Sequence, residues 1–247
     1  MEPKKTFDIT SAGLHMLAMA LMLCDHIWAT LPAPGWFTSV GRVAYPIFAF
    51  LLAEGYFHTH NLRHYLGRLL VWALISEIPF NLMYGGSAIY PFHQNVLWTF
   101  LLSLLLIALL DRIRSRFAPL LATPLCLGAA ALGFLLGYAA MVDYYGVGVL
   151  MVLTFYLFHG RTWRDFLGQL VCLYILNVRL LGGLYYGISL FGFQLELVQQ
   201  GLALLALLPI WLYRGRQGLH SRGFQLFCYA FYPAHMLLLC LAAYLVA

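Results

Sequence analysis

Long, uncharged and largely apolar runs, such as Val96–Leu110 and Leu237–Val246, constrain this chain more than any other feature of its sequence. They lack the apolar–polar alternation of membrane β-barrel strands. In hydrocarbon every backbone N–H and C=O needs an internal partner, which leaves helices as the spanning structure. With 63% hydrophobic and 9% charged residues, the chain has too little polar surface for a water-soluble fold. The sequence therefore predicts an all-α polytopic integral membrane protein.

The apolar runs and the breaks between them predict about nine transmembrane helices, with a range of about eight to ten, in 247 residues. The predicted spans lie near 13–31, 40–58, 66–84, 95–111, 118–140, 144–158, 166–181, 197–213 and 224–246. No room remains for a separate soluble domain, so we expect residues 1–247 to form a single transmembrane domain. The segment Gly182–Glu196, rich in Gly and aromatic residues, is compatible with an outer loop, an interfacial helix or a re-entrant hairpin.

Positive charge is concentrated on one predicted side of the membrane. Twelve of the 14 Lys and Arg residues lie in the N-terminal segment or in loops after even-numbered spans, and only Arg42 and Arg179 fall on the other side. The positive-inside rule then makes the N-terminus cytoplasmic. We expect a multi-pass protein of the bacterial inner (cytoplasmic) membrane. The net charge of +5 is explained by contact with anionic lipid headgroups, so no nucleic-acid partner is expected.

Several polar residues are predicted to lie at membrane depth, where each ionised group costs at least a few kcal/mol unless it is paired or solvated. Helix rise places most of them in the outer half of the bilayer and His235 near the middle of the last span. We therefore expect them to share one polar cavity. The outer group comprises Asp25, His26, Arg42, Glu77, Asn95, Thr99, Asp143 and Glu196.

Asp25 and His26 are adjacent, and neighbouring side chains on a helix point about 100° apart. Their partners must therefore come from other spans. We predict that Asp25 pairs with Arg42 or another cation and that His26 is the candidate general base, since histidine titrates near physiological pH. A structural polar contact between helices is the alternative for the Asp25–His26 pair, and direct contact with substrate is the alternative for Arg42.

Other candidates also have structural alternatives. His235 follows Pro233, so a hydrogen bond to a carbonyl at a helix kink explains it as well as chemistry does. Asp143 and Asn95 suit capping or loop roles. The aromatic residues near the outer ends, which include Tyr144, are typical of an interfacial belt.

The inner ends of the second and third spans carry a separate polar group: Glu54, His58, His60, Arg63, His64 and Arg68. A cationic pocket there would hold a phosphorylated or nucleotide-bearing donor through charge-assisted hydrogen bonds. Ordinary positive-inside loop content is the alternative. The five cysteines are scattered without ligand spacing, so we expect no metal site.

Several motifs of this chain, taken together, resemble the TraX family of membrane proteins. The two most specific are Met22-Leu-Cys-Asp25-His26-Ile and the run from Gly41-Arg42 through Tyr45-Pro46 to Glu54-Gly55 and His58-Thr59. Weaker matches follow in order along nearly the whole chain: Tyr65 to Arg68, Ser76-Glu77-Ile-Pro79-Phe80, Asn95-Val-Leu-Trp-Thr99, Asp143-Tyr144 with Gly146 and Gly148, and Phe231-Tyr232-Pro233-Ala-His235. Tyr45 and Glu77 depart from the pattern, where Phe and Gln are expected.

The resemblance implies an acyltransferase that takes an acetyl group from acetyl-CoA and gives it to an acceptor presented at the membrane. It leaves the acceptor open among a peptide such as a pilin N-terminus, a sugar and a lipid. The sequence does not indicate an oligomeric state.

On this hypothesis the residues divide into three groups. The catalytic group is His26, Asp25, Arg42 and His235; the donor-binding group is Glu54, His58, Arg63 and Arg68; the acceptor-binding group is Glu77, Asn95, Thr99, Asp143 and Tyr144. Two rivals remain: a proton-coupled transporter or channel that uses the intramembrane Asp, His and Glu side chains as a relay, and an assembly factor without chemistry.

Overall fold

A computed structural model describes residues 8–190 and 193–246, so Lys4 and Lys5 lie outside the described residues. The helices are α1 (Ser11–Thr30), α2 (Trp36–Gly41), α3 (Ala44–His58), α4 (Leu62–Gly85), α5 (Val96–Arg116), α6 (Pro119–Ala139), α7 (Tyr145–Leu157), α8 (Trp163–Tyr174), α9 (Leu207–Leu212) and α10 (Arg222–Val246). A π-helical segment, Ile175–Leu181, continues α8, and a 3-10 segment, Gln199–Ala206, leads into α9. Between these two segments lie strands β1 (Tyr185–Leu190) and β2 (Phe193–Val198).

Six helical segments in the described part of the chain are long and apolar enough to cross a membrane. They are 11–30, 36–58 (α2 with α3), 62–85, 96–116, 119–139 and 222–246. This confirms a multi-pass helical membrane protein. The other three predicted spans correspond to shorter segments: α7, α8 with its π-helical extension, and the 3-10 segment with α9.

Helices α3 and α7 form the centre of the bundle. Nearly every residue from Ala44 to Glu54 is buried, as is nearly every residue from Gly146 to Tyr156. The two helices pack against each other, and α1, α5, the 3-10 segment and α9 surround α3. These helices are apolar on all sides because nearly all of their surface packs against neighbouring helices.

The described part of the chain is mostly helical, as predicted, but β1 and β2 form an antiparallel hairpin within the segment whose structure the sequence left open. Tyr185 is opposite Val198 and Gly187 is opposite Glu196. Gly182 and Gly183 have φ angles of 61° and 112° and so end the preceding helix. The residues that follow are rich in aromatic and aliphatic types, which favour strands. None of the three interpretations left open for this segment, an outer loop, an interfacial helix or a re-entrant hairpin, specified a pair of β-strands. Residues 191 and 192 lie outside the described part.

The predicted cytoplasmic segments gather at one end of the bundle. Asp8 forms an ion pair with Arg216 (Oδ2–Nε, 3.1 Å), which joins the start of the chain to the loop before α10. Glu54 accepts a hydrogen bond from His159 (2.7 Å), which joins the end of α3 to the α7–α8 loop. This end is called the inner end below, and the opposite one the outer end.

Gly41 lets α1 and α2 approach closely beside a polar residue. A Cβ atom at this position would collide with the Asp25 side chain, with its Cγ and Oδ1 at only 2.9 Å. At Gly35, in the same region, a Cβ atom would meet no described atom within 4 Å, and its φ is −59°.

We predict that Gly41→Ala destabilises the protein by about 1–3 kcal/mol, because overpacking must displace either α2 or Asp25. Thermal unfolding of the detergent-solubilised protein measures this. The matched control is Gly35→Ala, which should leave the melting temperature nearly unchanged. Equal melting temperatures for the two variants would contradict the predicted close approach of α1 and α2.

Candidate active site

A cavity of about 380 Å³ opens at the outer end of the bundle. Its polar lining includes Asp25, His26, Arg42, Asp143 and Tyr144, five of the residues predicted from the sequence. Aromatic side chains supply much of the rest of the wall: Trp28, Tyr45, Tyr84, Tyr145 and Tyr232. Small-molecule sites are typically apolar cavities of this size with a few converging polar groups. We call it the outer cavity.

Asp25 and Arg42 form the predicted ion pair across the α1–α2 contact. Arg42 Nη2 donates to Asp25 Oδ1. Thr38 Oγ1 donates to the same oxygen at 2.7 Å, and Arg42 Nε donates to the Thr38 carbonyl at 3.2 Å. Within the described residues, Asp25 Oδ2 and Arg42 Nη1 have no hydrogen-bond partner. The pair is therefore held in place while one carboxylate oxygen and one guanidinium nitrogen stay available.

His26 turns away from Asp25, as the helix geometry predicts, and meets His235 instead. Its Nδ1 lies 2.6 Å from His235 Nε2. His235 Nδ1 in turn lies 2.7 Å from the Phe231 carbonyl oxygen, one helical turn earlier on α10. This hydrogen bond to a carbonyl is the structural role that the sequence predicted for His235 as an alternative to a catalytic one. His235 itself lies behind His26 and is not part of the cavity lining, whereas His26 is.

The loop before α7 brings Asp143 and Tyr144 to the outer cavity. Asp143 Oδ1 accepts from the Tyr144 N–H at 3.0 Å and lies 3.4 Å from His93 Nε2. Tyr144 stacks on Tyr45 with ring centroids 4.0 Å apart. Tyr144 and Tyr145 have φ angles of 58° and 49°, which bulky residues rarely adopt. Backbone strain of this kind is concentrated at functional sites.

Three predicted acceptor-binding residues lie outside the cavity lining. Asn95 is fully buried and caps α5, and its Nδ2 donates to both the Ala73 carbonyl (2.9 Å) and Glu77. Trp98 Nε1 donates to Glu77 Oε2 at 2.9 Å. Thr99 Oγ1 donates to the Asp143 carbonyl at 2.7 Å. These hydrogen bonds connect α4 to α5 and hold the loop that contains Asp143. The three residues therefore stabilise the structure around the outer cavity without lining it.

A second cavity, of about 450 Å³, lies towards the inner end. Its lining contains Glu54, His58 and Arg68 of the predicted donor-binding group, but Arg63 is absent from it. The Glu54 carboxylate is already engaged, since His159 Nε2 lies at 2.7 Å and the Tyr213 hydroxyl donates at 3.1 Å. The Arg68 guanidinium lies 5.6 Å from the ring centroid of Tyr65. We call this the inner cavity.

Four residues line both cavities: Met22, Phe48, Val96 and Tyr232. They come from α1, α3, α5 and α10. Met22 lies one helical turn, about 6 Å, before His26, and Tyr232 lies three residues before His235. We call these four side chains the apolar collar. They separate the two cavities next to the His26–His235 pair.

Some lining residues were not predicted from the sequence. His93 and Tyr84 line the outer cavity, and His15, Tyr65, His220 and Tyr229 line the inner cavity. His15 interrupts the first apolar run, so the criterion that selected His26 selects it too. The tyrosines give no such signal because aromatic residues near membrane interfaces are common. The described residues contain no group of three or more His, Cys, Asp or Glu side chains that could hold a metal ion.

The Asp25–Arg42 pair predicts non-additive stability effects. Asp25→Asn or Arg42→Gln alone leaves a partly buried charge without its partner, whereas the double variant removes both charges. We expect the double variant to be more stable than the sum of the single effects implies, with a coupling of about 0.5–3 kcal/mol. The free energies of unfolding of the purified wild type, the two single variants and the double variant measure this coupling. The control is the double variant of Asp25→Asn with Arg179→Gln, on the π-helical segment, whose effects should add. Strictly additive effects of Asp25→Asn and Arg42→Gln would contradict the ion pair.

Comparisons with known proteins place this geometry in a family. The chain is 31% identical to the probable fimbrial assembly protein FimC, serogroup H1, of Dichelobacter nodosus, over 96% of this chain and 97% of that protein. No solved structure matches it significantly. The family described as TraX protein matches residues 10–243. This match includes both cavities and the collar, and it shows that the chain belongs to the TraX family.

Proposed function

We propose that this protein is a membrane-embedded acetyltransferase that moves an acetyl group from cytoplasmic acetyl-CoA to an amine presented at the outer side of the membrane. One observation carries the proposal: two cavities at opposite ends of the bundle meet at the apolar collar, immediately beside His26. Such an arrangement suits a donor and an acceptor that approach from different sides.

We also propose that the chain crosses the bacterial cytoplasmic membrane nine times, with the N-terminus inside. Each of the three shorter segments connects the outer end to the inner end. Helix α7 starts beside Asp143 and ends near His159, and the α8–π segment follows Arg161 and ends at Leu181 on the outer cavity. The 3-10–α9 segment starts at Gln199, next to Gln200 of the outer cavity, and ends at Leu212, next to Tyr213 of the inner cavity. Their short length is tolerable because neighbouring helices shield much of their backbone from lipid.

The inner cavity is the proposed donor site. Arg68 and His58 line this cavity and supply hydrogen-bond donors for the phosphates of acetyl-CoA. Glu54 already holds His159 and Tyr213, so we assign it to shaping this cavity. We propose that the pantetheine arm passes the collar, where the two cavities share their lining, and brings its thioester to His26.

The charge of the outer cavity favours an amine acceptor over a hydroxyl. Two carboxylates, Asp25 and Asp143, line it against one guanidinium, Arg42, and the tyrosine and tryptophan rings offer further contacts for a cation. An ammonium group is therefore attracted to this site. A sugar or lipid headgroup that carries an amine fits this chemistry as well as a peptide N-terminus does.

The relative from Dichelobacter nodosus is named as a probable fimbrial assembly protein. This name supports a peptide acceptor, and we propose the N-terminus of a surface-filament subunit as the first candidate.

In the proposed reaction the bound ammonium first releases one proton to water, which leaves a neutral amine. The amine nitrogen then attacks the thioester carbonyl carbon while His26 Nε2 removes a second proton from that nitrogen. Arg42 Nη1 stabilises the negative charge that develops on the carbonyl oxygen. The C–S bond then breaks, and the leaving thiolate of coenzyme A takes a proton from His26. The products are an acetamide and free coenzyme A, and His26 returns to its starting state.

The distribution of polar groups argues against the rival proton-coupled transporter. Asp25, His26 and Asp143 line the outer cavity, Glu54 lines the inner cavity, and the collar between them is apolar apart from the Tyr232 hydroxyl. A proton relay requires polar groups or water in close succession across the membrane. Among the described residues that succession is interrupted at the collar.

We predict that His26→Ala lowers the transfer of radioactive acetyl from acetyl-CoA to a peptide amine by about 100-fold or more, because general base catalysis is lost. Met16→Ala is the matched control, since Met16 lies on the same helix and is 48% exposed. Undiminished transfer by a folded His26→Ala protein would remove His26 from the mechanism.

We predict that Met22→Trp blocks transfer but not donor binding, because the larger side chain fills the collar and leaves the inner cavity open. Transfer should fall by about 100-fold, a loss comparable to that from a misplaced reacting group. Coenzyme A should still raise the melting temperature, as a ligand of the folded state must. Met16→Trp is the control. Normal turnover by Met22→Trp would show that the donor does not pass the collar.

A further inference from the structure

Two consecutive hydrogen bonds beside the outer cavity, between His26 and His235 and between His235 and the Phe231 carbonyl, determine which ring nitrogens carry a proton. The Phe231 carbonyl oxygen can only accept a hydrogen bond, so His235 Nδ1, at 2.7 Å, must carry a hydrogen. In neutral His235 the other nitrogen, Nε2, then carries a lone pair. His26 Nδ1 lies 2.6 Å from that lone pair and must be the donor. Neutral His26 is thereby left with its own lone pair on Nε2.

The surroundings hold both rings in this arrangement. The imidazole centroids are 4.9 Å apart and the ring planes are inclined by 17°, while the two nitrogens are 2.6 Å apart. The rings therefore meet edge to edge. The Phe231 ring packs on His235 at 4.8 Å, and Tyr84 meets His26 edge-on at 6.2 Å. Both histidines are buried, with 8% and 4% of their surfaces exposed, so bulk water does not compete for these hydrogen bonds.

We infer that His235 is the positioning residue of the site: it accepts the Nδ1 proton of His26 and so keeps the His26 Nε2 lone pair directed to the acceptor. The Phe231 carbonyl completes this set and fixes the orientation of His235. A neutral imidazole thus occupies the place that a carboxylate has in many base-orienting arrangements. Asp25, the sequence neighbour of His26, has no part in it because it is bound to Arg42 and Thr38.

The same contact lets the pair share charge during the reaction. When His26 Nε2 takes a proton from the acceptor, the proton on His26 Nδ1 can move to His235 Nε2. The pair then holds one additional proton and one positive charge in total. The His235 Nδ1–H group stays bonded to the Phe231 carbonyl, which stabilises that charge. Return of the proton to the leaving thiolate restores both neutral rings.

The inference extends the proposed function, but its first test does not require activity. In protein labelled with ¹⁵N-histidine, NMR should show His26 with a protonated Nδ1 and an unprotonated Nε2, with the signals assigned by their loss in His26→Gln. His235→Gln offers an amide oxygen as the acceptor and should preserve this tautomer. His235→Leu removes the acceptor and should abolish the preference. A wild-type His26 protonated at Nε2, or a tautomer unchanged in His235→Leu, would overturn the inference.

Kinetics supplies the second test. His235→Leu should lower kcat for acetyl transfer by about 100-fold or more and leave the KM for acetyl-CoA within about twofold, because the inner cavity is untouched. His235→Gln should recover most of that loss. Leu238→Ala is the control, since Leu238 lies one turn further along α10 and is 66% exposed. A kcat unaffected by His235→Leu would contradict the positioning role. Absence of transfer by the wild type would contradict the proposed function and leave the tautomer result standing.

Discussion

The cost of placing charge in hydrocarbon determines how this protein is organised. An ionised group at membrane depth must be paired, hydrogen-bonded or solvated, and the chain meets this requirement by gathering its polar residues at the two ends of one helical bundle. Asp25 forms an ion pair with Arg42 and accepts a hydrogen bond from Thr38, and Glu54 is hydrogen-bonded to His159 and Tyr213. What separates the two groups is a single layer of largely apolar side chains, the collar. Both the proposed donor route and the barrier between the two sides of the membrane depend on that layer.

Much of this organisation can be predicted from the sequence because it rests on local or pairwise rules. Apolar runs locate most of the helices, and the arginine bias predicts the direction in which they cross the membrane. Helix geometry shows that Asp25 and His26 must have different partners, and charge requires that Asp25 find a cation such as Arg42. The β-hairpin between Gly182 and Gln199 was harder to predict. Its Gly and aromatic residues suit an interfacial helix or a loop equally well, and only the structure shows that two positive-φ glycines end the preceding helix.

The remaining features depend on contacts between distant parts of the chain. His26 and His235 are 209 positions apart, so no spacing rule relates them. Glu77, Asn95 and Thr99 have the polarity expected of a binding site, but their hydrogen bonds to Trp98, Ala73 and Asp143 use them to hold helices and a loop together. Arg63 illustrates the same limit at the inner end, where one residue of a basic cluster misses the cavity that Arg68 lines. Polarity at membrane depth identifies candidates, and packing decides which of them face a cavity.

The central claim is that donor and acceptor meet across the collar from opposite sides of the membrane. Right-side-out vesicles that contain this protein and enclosed radioactive acetyl-CoA, with a peptide outside, test it directly. If the claim is correct, label appears on the external peptide as an N-terminal acetamide while acetyl-CoA stays enclosed, and a peptide with a blocked N-terminus stays unlabelled. Label that appears only when acetyl-CoA and the peptide are on the same side of the membrane would contradict the account.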